Sequence, residues 1–172
     1  MTEDREHADR VDALVARVMD RPGRAITLNL PPYEVGEFVR RLDIALDKVY
    51  GDDVFDIAAR LVLGSACTTA AKAVDQFVAA LQLPYTAARG WGDFMEALAD
   101  RPSSRGECVV VADASQLLKY EDFDRWRELV QSLRSGPFCM GGGSRTLVLI
   151  DDEFMWQDWA FTSMADIARV EA

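Results

Sequence analysis

The chain has 172 residues, 49% hydrophobic and 28% charged, a size suited to one compact domain with elaborations. Its formal charge of −10 excludes the basic footprint of a general nucleic-acid binder and suits a basic protein partner. No apolar run approaches the roughly 20 residues of a membrane span, and the acidic start MTEDREHADR is no signal peptide, so a cytoplasmic location is expected.

Val11, Leu14, Val15 and Val18 share one helical face, and RPG at 21–23 stops that helix. AITLNL at 25–30 alternates apolar and polar residues as a half-buried strand does, and two prolines end it. Val35, Phe38, Val39, Leu42, Leu46 and Val49 mark a strong amphipathic helix closed by Gly51. The run 53–67 is ambiguous. Val54, Ile57, Ala58 and Leu61 fit a helix, while RLVLG at 60–64 fits a short buried strand. From Thr69 the pattern is helical again through Leu81, and Pro84 follows its end. A loop, PYTAARG, leads to the helix GWGDFMEALAD, and RPSSRGE at 101–107 reads as a linker. CVVVAD at 108–113 and RTLVLI at 145–150 read as fully buried strands. Between them lies a helix with Phe123, Trp126, Leu129, Val130 and Leu133 inward and Asp122 as N-cap, followed by a glycine-rich loop. The tail is aromatic, with Trp156 and Trp159 capping the core, and then helical from Ser163. Strands separated by helices point to a small parallel sheet with helical cover.

The chemistry-bearing residues are few. His7 is the single histidine and sits in a polar segment, which argues against a nucleophile–histidine pair and against histidine-ligated metals. Cys67, Cys108 and Cys139 are widely spaced and odd in number, so buried free thiols are expected. GGG at 141–143 precedes a strand, whereas phosphate loops follow one. Asp113 and Asp151 end two apolar strands and are candidates for a divalent-cation site, although turns favour aspartate anyway. On the helix after Gly90, Trp91, Phe94 and Leu98 form a buried face. Asp93, Glu96 and Asp100 repeat the same spacing on another stripe, within roughly 60° of one another.

From about residue 60 to 152 the chain resembles the barstar (barnase inhibitor) family. The resemblance rests on AVDQFVAALQLP, then YTAARGWGDFMEALAD, CVVVADASQLL, the helix around DRWRELVQSL and the strand TLVLI. It implies a small α/β fold with a three- or four-stranded parallel sheet. Residues 58–152 then form the barstar-like domain, 1–57 an N-terminal helix–strand extension, and 153–172 a tail packing on the core. The family's first strand corresponds to RLVLG at 60–64 or, less directly, to AITLNL. The resemblance further implies a non-enzymatic immunity protein without metal or cofactor. It would plug the active site of a basic ribonuclease or other toxin, its acids standing in for phosphates. The partner-binding residues so implied are Tyr85, Thr86, Arg89, Trp91, Asp93, Glu96 and Asp100. This sequence departs from the family pattern at several points. Gly90 replaces an asparagine, Gly92 replaces the first helix acid, Asp93 comes one residue late, and Ser132 falls near an acid of the long helix. Two alternatives stand beside it: an interaction module with a non-toxin partner, and a small magnesium-dependent enzyme using Asp113 and Asp151.

Overall fold

Apolar residues alternate in direction along buried strands and feed two separate cores, one on each face of a single parallel sheet. The computed structural model describes residues 2–51, 56–134, 144–152 and 167–170. Within them the order is α1 (Thr2–Met19), β1 (Ala25–Asn29), α2 (Pro32–Tyr50), β2 (Ala58–Leu63), α3 (Ala70–Ala80), α4 (Trp91–Asp100), β3 (Glu107–Ala112), α5 (Phe123–Arg134), β4 (Thr146–Asp151) and β5 (Ile167–Val170). The spatial order of the strands is β2-β3-β4-β1-β5, and every pairing is parallel.

One core joins Val109, Val111, Leu147 and Leu149 to Phe77 of α3, Phe94 and Leu98 of α4, and Leu129 and Leu133 of α5. The other joins Ile26, Leu28, Cys108, Val110, Val148 and Ile150 to Val11 and Leu14 of α1 and Phe38 and Leu42 of α2. Helices on both faces explain why β3 and β4 are buried at every residue and read as continuous apolar runs. Cys67 and Cys108 are buried free thiols, and burial pushes Cys67 up to about 12.

The structure refines several expectations. The sheet is parallel, as expected, but has five strands, because β1 docks between β4 and β5, with Ala25 opposite both Leu147 and Ile167. The segment 1–57 therefore supplies an interior strand and two helices covering one face. The ambiguous run 53–67 contains a strand, β2. It lies at the sheet edge, where Val62 is buried and Leu61 and Leu63 are exposed. The linker 101–107 ends inside β3, since Glu107 pairs opposite Ala58. Thr69 caps α3, and the Asp122 carboxylate accepts the Arg125 amide at 2.8 Å. The loop 135–143 with GGG and Cys139, and the tail residues Trp156, Trp159 and Ser163, lie outside the described residues. The tail is not helical where it is described: Ile167–Val170 form β5, because this segment pairs in parallel with β1.

Candidate functional site

The acidic groove is assembled where α3 ends and α4 begins. At the C-terminus of α3 the chain turns through Gln82, held left-handed at φ 53°, and the Leu83 amide donates back to the Val78 carbonyl at 3.0 Å. This six-to-one closure fixes the direction of Leu83-Pro84 without a glycine. A single 3₁₀ stretch, Tyr85–Arg89, follows and buries Ala87. The Phe94 amide then donates to the Gly90 carbonyl at 3.0 Å, and α4 starts.

A groove of about 540 Å³ runs along α4. Asp93, Glu96 and Asp100 form one wall, with Thr86 and Gln82 at its edge. Leu83, Pro84, Ala97 and Pro102 supply the apolar lining, and Arg101 lines it as well. All three carboxylates are exposed. None of them makes an ion pair among the described residues.

Four of the seven expected binding residues thus meet at one groove: Thr86, Asp93, Glu96 and Asp100. The other three do not line it. Tyr85 is 82% exposed, and Arg89 is exposed. Trp91 packs towards α5 instead. Its ring lies 5.7 Å from Phe94, its indole N–H donates to Glu128 at 3.0 Å, and the Arg125 guanidinium stacks over it at 5.3 Å. Trp91 is half-buried and anchors α4. At Gly92, which stands in the position of the family's first helix acid, an added Cβ meets nothing within 4 Å.

The groove rests on a charge cluster that sequence reading missed. Glu107 and Arg145 are completely buried. The Glu107 carboxylate accepts from Arg60 Nε at 2.8 Å, Arg101 Nη1 at 2.5 Å and Arg145 Nε at 2.5 Å. Arg145 also donates to the carbonyls of Leu133 at 3.1 Å and Pro102 at 3.2 Å. Arg60 and Arg101 each reach Asp56, at 2.6 and 2.8 Å. Burial pulls the Arg145 guanidinium below its usual range, and the Glu107 charge opposes that pull. Arg101 and Pro102 belong to both cluster and groove, so this part of the groove's lining is held by the buried and half-buried charges of Glu107, Arg60, Arg101 and Arg145.

The second candidate lies at the carboxyl ends of β3 and β4. Asp113 is left-handed at φ 49° and accepts from the Ser65 hydroxyl at 2.6 Å. A Cβ on Gly64 would stand 2.3 Å from the Asp113 carbonyl, so this close approach requires glycine. Asp151 accepts the amides of Ser115 at 2.7 Å and Asp152 at 2.9 Å. Both carboxylates tie strand ends together. Among the described residues, no three histidine, cysteine, aspartate or glutamate side chains are grouped to hold a metal.

No family model matches the sequence, and no curated protein does. Solved structures do match. One is the Aeropyrum pernix ORC2 protein in its ADPNP–ADP complexes, with TM-score 0.62 and 12% identity, covering 95% of this chain and 47% of that one. The chain therefore spans about half the length of that neighbour, and at this identity the likeness is one of fold.

Proposed function

We propose that this chain is a protein-binding module that takes a basic segment of its partner into the groove along α4. The observation that carries the reading is the wall of Asp93, Glu96 and Asp100, three exposed carboxylates without internal cations, facing an apolar lining. A lysine or arginine stem covers apolar surface while its head seeks charge, which matches that lining. The net charge of −10 adds long-range attraction for a basic protein. The narrower form of the proposal is an immunity protein that blocks a basic nuclease, the acids replacing phosphates. Its support is the order β2-β3-β4 with α3, α4 and α5 on one face, over the stretch that resembles the barstar family. The missing acid at Gly92 speaks for a target other than a barnase-like enzyme.

The fold neighbour's nucleotides suggest a different reading. In open parallel sheets such ligands sit outside the carboxyl ends of the strands, with phosphates on a helix N-terminus. Here α2 starts at Pro31-Pro32, and Asp113 and Asp151 line the same end. These residues do not fit a polyphosphate, and the protein-binding reading is preferred.

The test is capture of the partner from the native host, followed by calorimetry at two salt concentrations. Asp93→Ala with Glu96→Ala should weaken a basic partner by about 2–5 kcal/mol, because partner charges lose their counterparts. Wild-type affinity should fall as salt rises. Equal affinity of wild type and double variant would refute the proposal. Loss of nuclease activity on adding the protein would support the narrower form.

A further inference from the structure

We infer that Glu107 is a positioning residue for the groove along α4: it holds Arg101 inward, so that the acidic wall keeps its charge. The inference rests on the reading of that groove as a site for a basic segment. Arg101 follows Asp100 directly and is the C-cap of α4, with extended backbone at φ −71° and ψ 123°. It lines the groove together with Asp93, Glu96 and Asp100. A cation at such a place is ordinarily drawn to the last carbonyls of the helix and to neighbouring carboxylates. Its charge would then stand where a lysine or arginine of the partner binds.

The guanidinium lies elsewhere. The Arg101 side chain is 11% exposed, and its two terminal nitrogens donate to Glu107 and Asp56. Burying a guanidinium is costly unless carboxylates receive it. Glu107 is the firmer of the two acceptors, because it is inaccessible, whereas Asp56 is 46% exposed and shared with Arg60. The other two guanidiniums are also tied to helix ends. Arg60 donates to the Ala80 carbonyl of α3, and Arg145 donates to the Leu133 carbonyl of α5. Arg101 is the cluster's guanidinium that borders the groove and adjoins one of its carboxylates in sequence. Three guanidiniums share two carboxylates here. With Glu107 neutral they share Asp56, and Arg101 has the nearest alternative in Asp100.

The probe is a synthetic hexalysine peptide at low salt, with affinity read by calorimetry where circular dichroism shows every variant folded. Asp93→Ala with Glu96→Ala tests the groove itself and should weaken binding. Glu107→Gln keeps the shape of the side chain and should weaken binding about threefold to tenfold, the effect of one added charge beside a water-facing site. Adding Arg101→Gln to Glu107→Gln should restore the affinity. Adding the exposed change Arg24→Gln instead returns the net charge equally to −10 and should not restore it. Asp56→Asn removes the exposed acceptor, should weaken binding less, and serves where Glu107→Gln does not fold. Unchanged affinity in Glu107→Gln and Asp56→Asn, or equal recovery with Arg24→Gln and Arg101→Gln, would overturn the inference and leave the groove reading standing. Unchanged affinity in the double alanine variant would overturn both.

Discussion

Replacing Glu107 by alanine probes the buried cluster most directly. Glu107 is inaccessible and holds three guanidiniums, one of them, on Arg145, also inaccessible. Removing the carboxylate deletes three charge-assisted hydrogen bonds and leaves Arg145 buried beside two like charges. Arg145 keeps its bonds to the Leu133 and Pro102 carbonyls, which limits the damage but supplies no negative charge. Breaking a buried ion pair from one side costs about 3–5 kcal/mol. A domain is stable by only about 5–15 kcal/mol, so this loss is a large share of the total. Glu107→Gln keeps an acceptor and the packing but not the charge, and should cost less, about 1.5–3 kcal/mol. Urea unfolding at neutral pH, followed by circular dichroism, measures both. Adding Arg145→Met to Glu107→Ala should recover part of the loss, because the most buried unpaired charge is then gone. A loss under about 1 kcal/mol for Glu107→Ala would show that water or rearrangement compensates the guanidiniums, and would refute the assignment of Glu107 as the hub.

Trp91→Ala should cost about 1.5–3 kcal/mol rather than the ~3–5 of a fully buried tryptophan, because the ring is half-buried; an unchanged urea midpoint would show that its contacts with Phe94 and Glu128 contribute nothing. Hydrogen bonds from Arg40 and Arg41 hold the Glu37 carboxyl at about 2, below its ordinary value of 4.5. The stabilisation from Glu37 is therefore complete above about pH 4.5 and lost as pH falls towards 2. Glu37→Gln should flatten the acid limb of the stability profile, and an unaltered limb would refute this. In a Cys139→Ser background, Cys67 and Cys108 should resist a thiol reagent until the protein is unfolded, since burial raises both thiols; fast labelling of the native protein would contradict their burial.

The helices α1 to α5 were legible because each buried stripe repeats at a local spacing, whereas the short tail segment Ile167–Val170, read as helix, is a strand. The stripe of Val35, Phe38, Leu42 and Leu46 can be read without knowing what covers it. The same holds for Asp93, Glu96 and Asp100, so the acidic wall of the groove was visible in sequence. The apolar lining was not. Leu83, Pro84 and Pro102 come from two separate chain segments, and only the fold sets them opposite α4. The strand Ala25–Asn29 was visible too, but not its place between β4 and β5, because its pattern carries no information about neighbours. β2 stayed ambiguous because an edge strand is only partly covered, which blurs its alternation. The turn at Gln82 lacked the glycine that usually announces a helix end.

The charge cluster was hidden for a different reason, and it bears on how the groove works. Glu107 is the first residue of β3 and Arg145 immediately precedes β4, places where a charged residue ordinarily marks the exposed start of a strand. They meet across 38 residues of sequence, so no local spacing connects them. Through Arg101, Glu107 also bears on the charge of the groove. Arg101 lines the groove beside Asp100, and a free guanidinium there would neutralise one of the three carboxylates. Instead, Glu107 and Asp56 take its donors at 2.5 and 2.8 Å and turn its charge towards the interior. The acid wall therefore keeps its negative charge although a cation borders it. On the proposed reading, the groove's affinity for a basic segment depends on Glu107, which does not line the groove, so loss of Glu107 should release Arg101 towards Asp100 and weaken binding as well as folding.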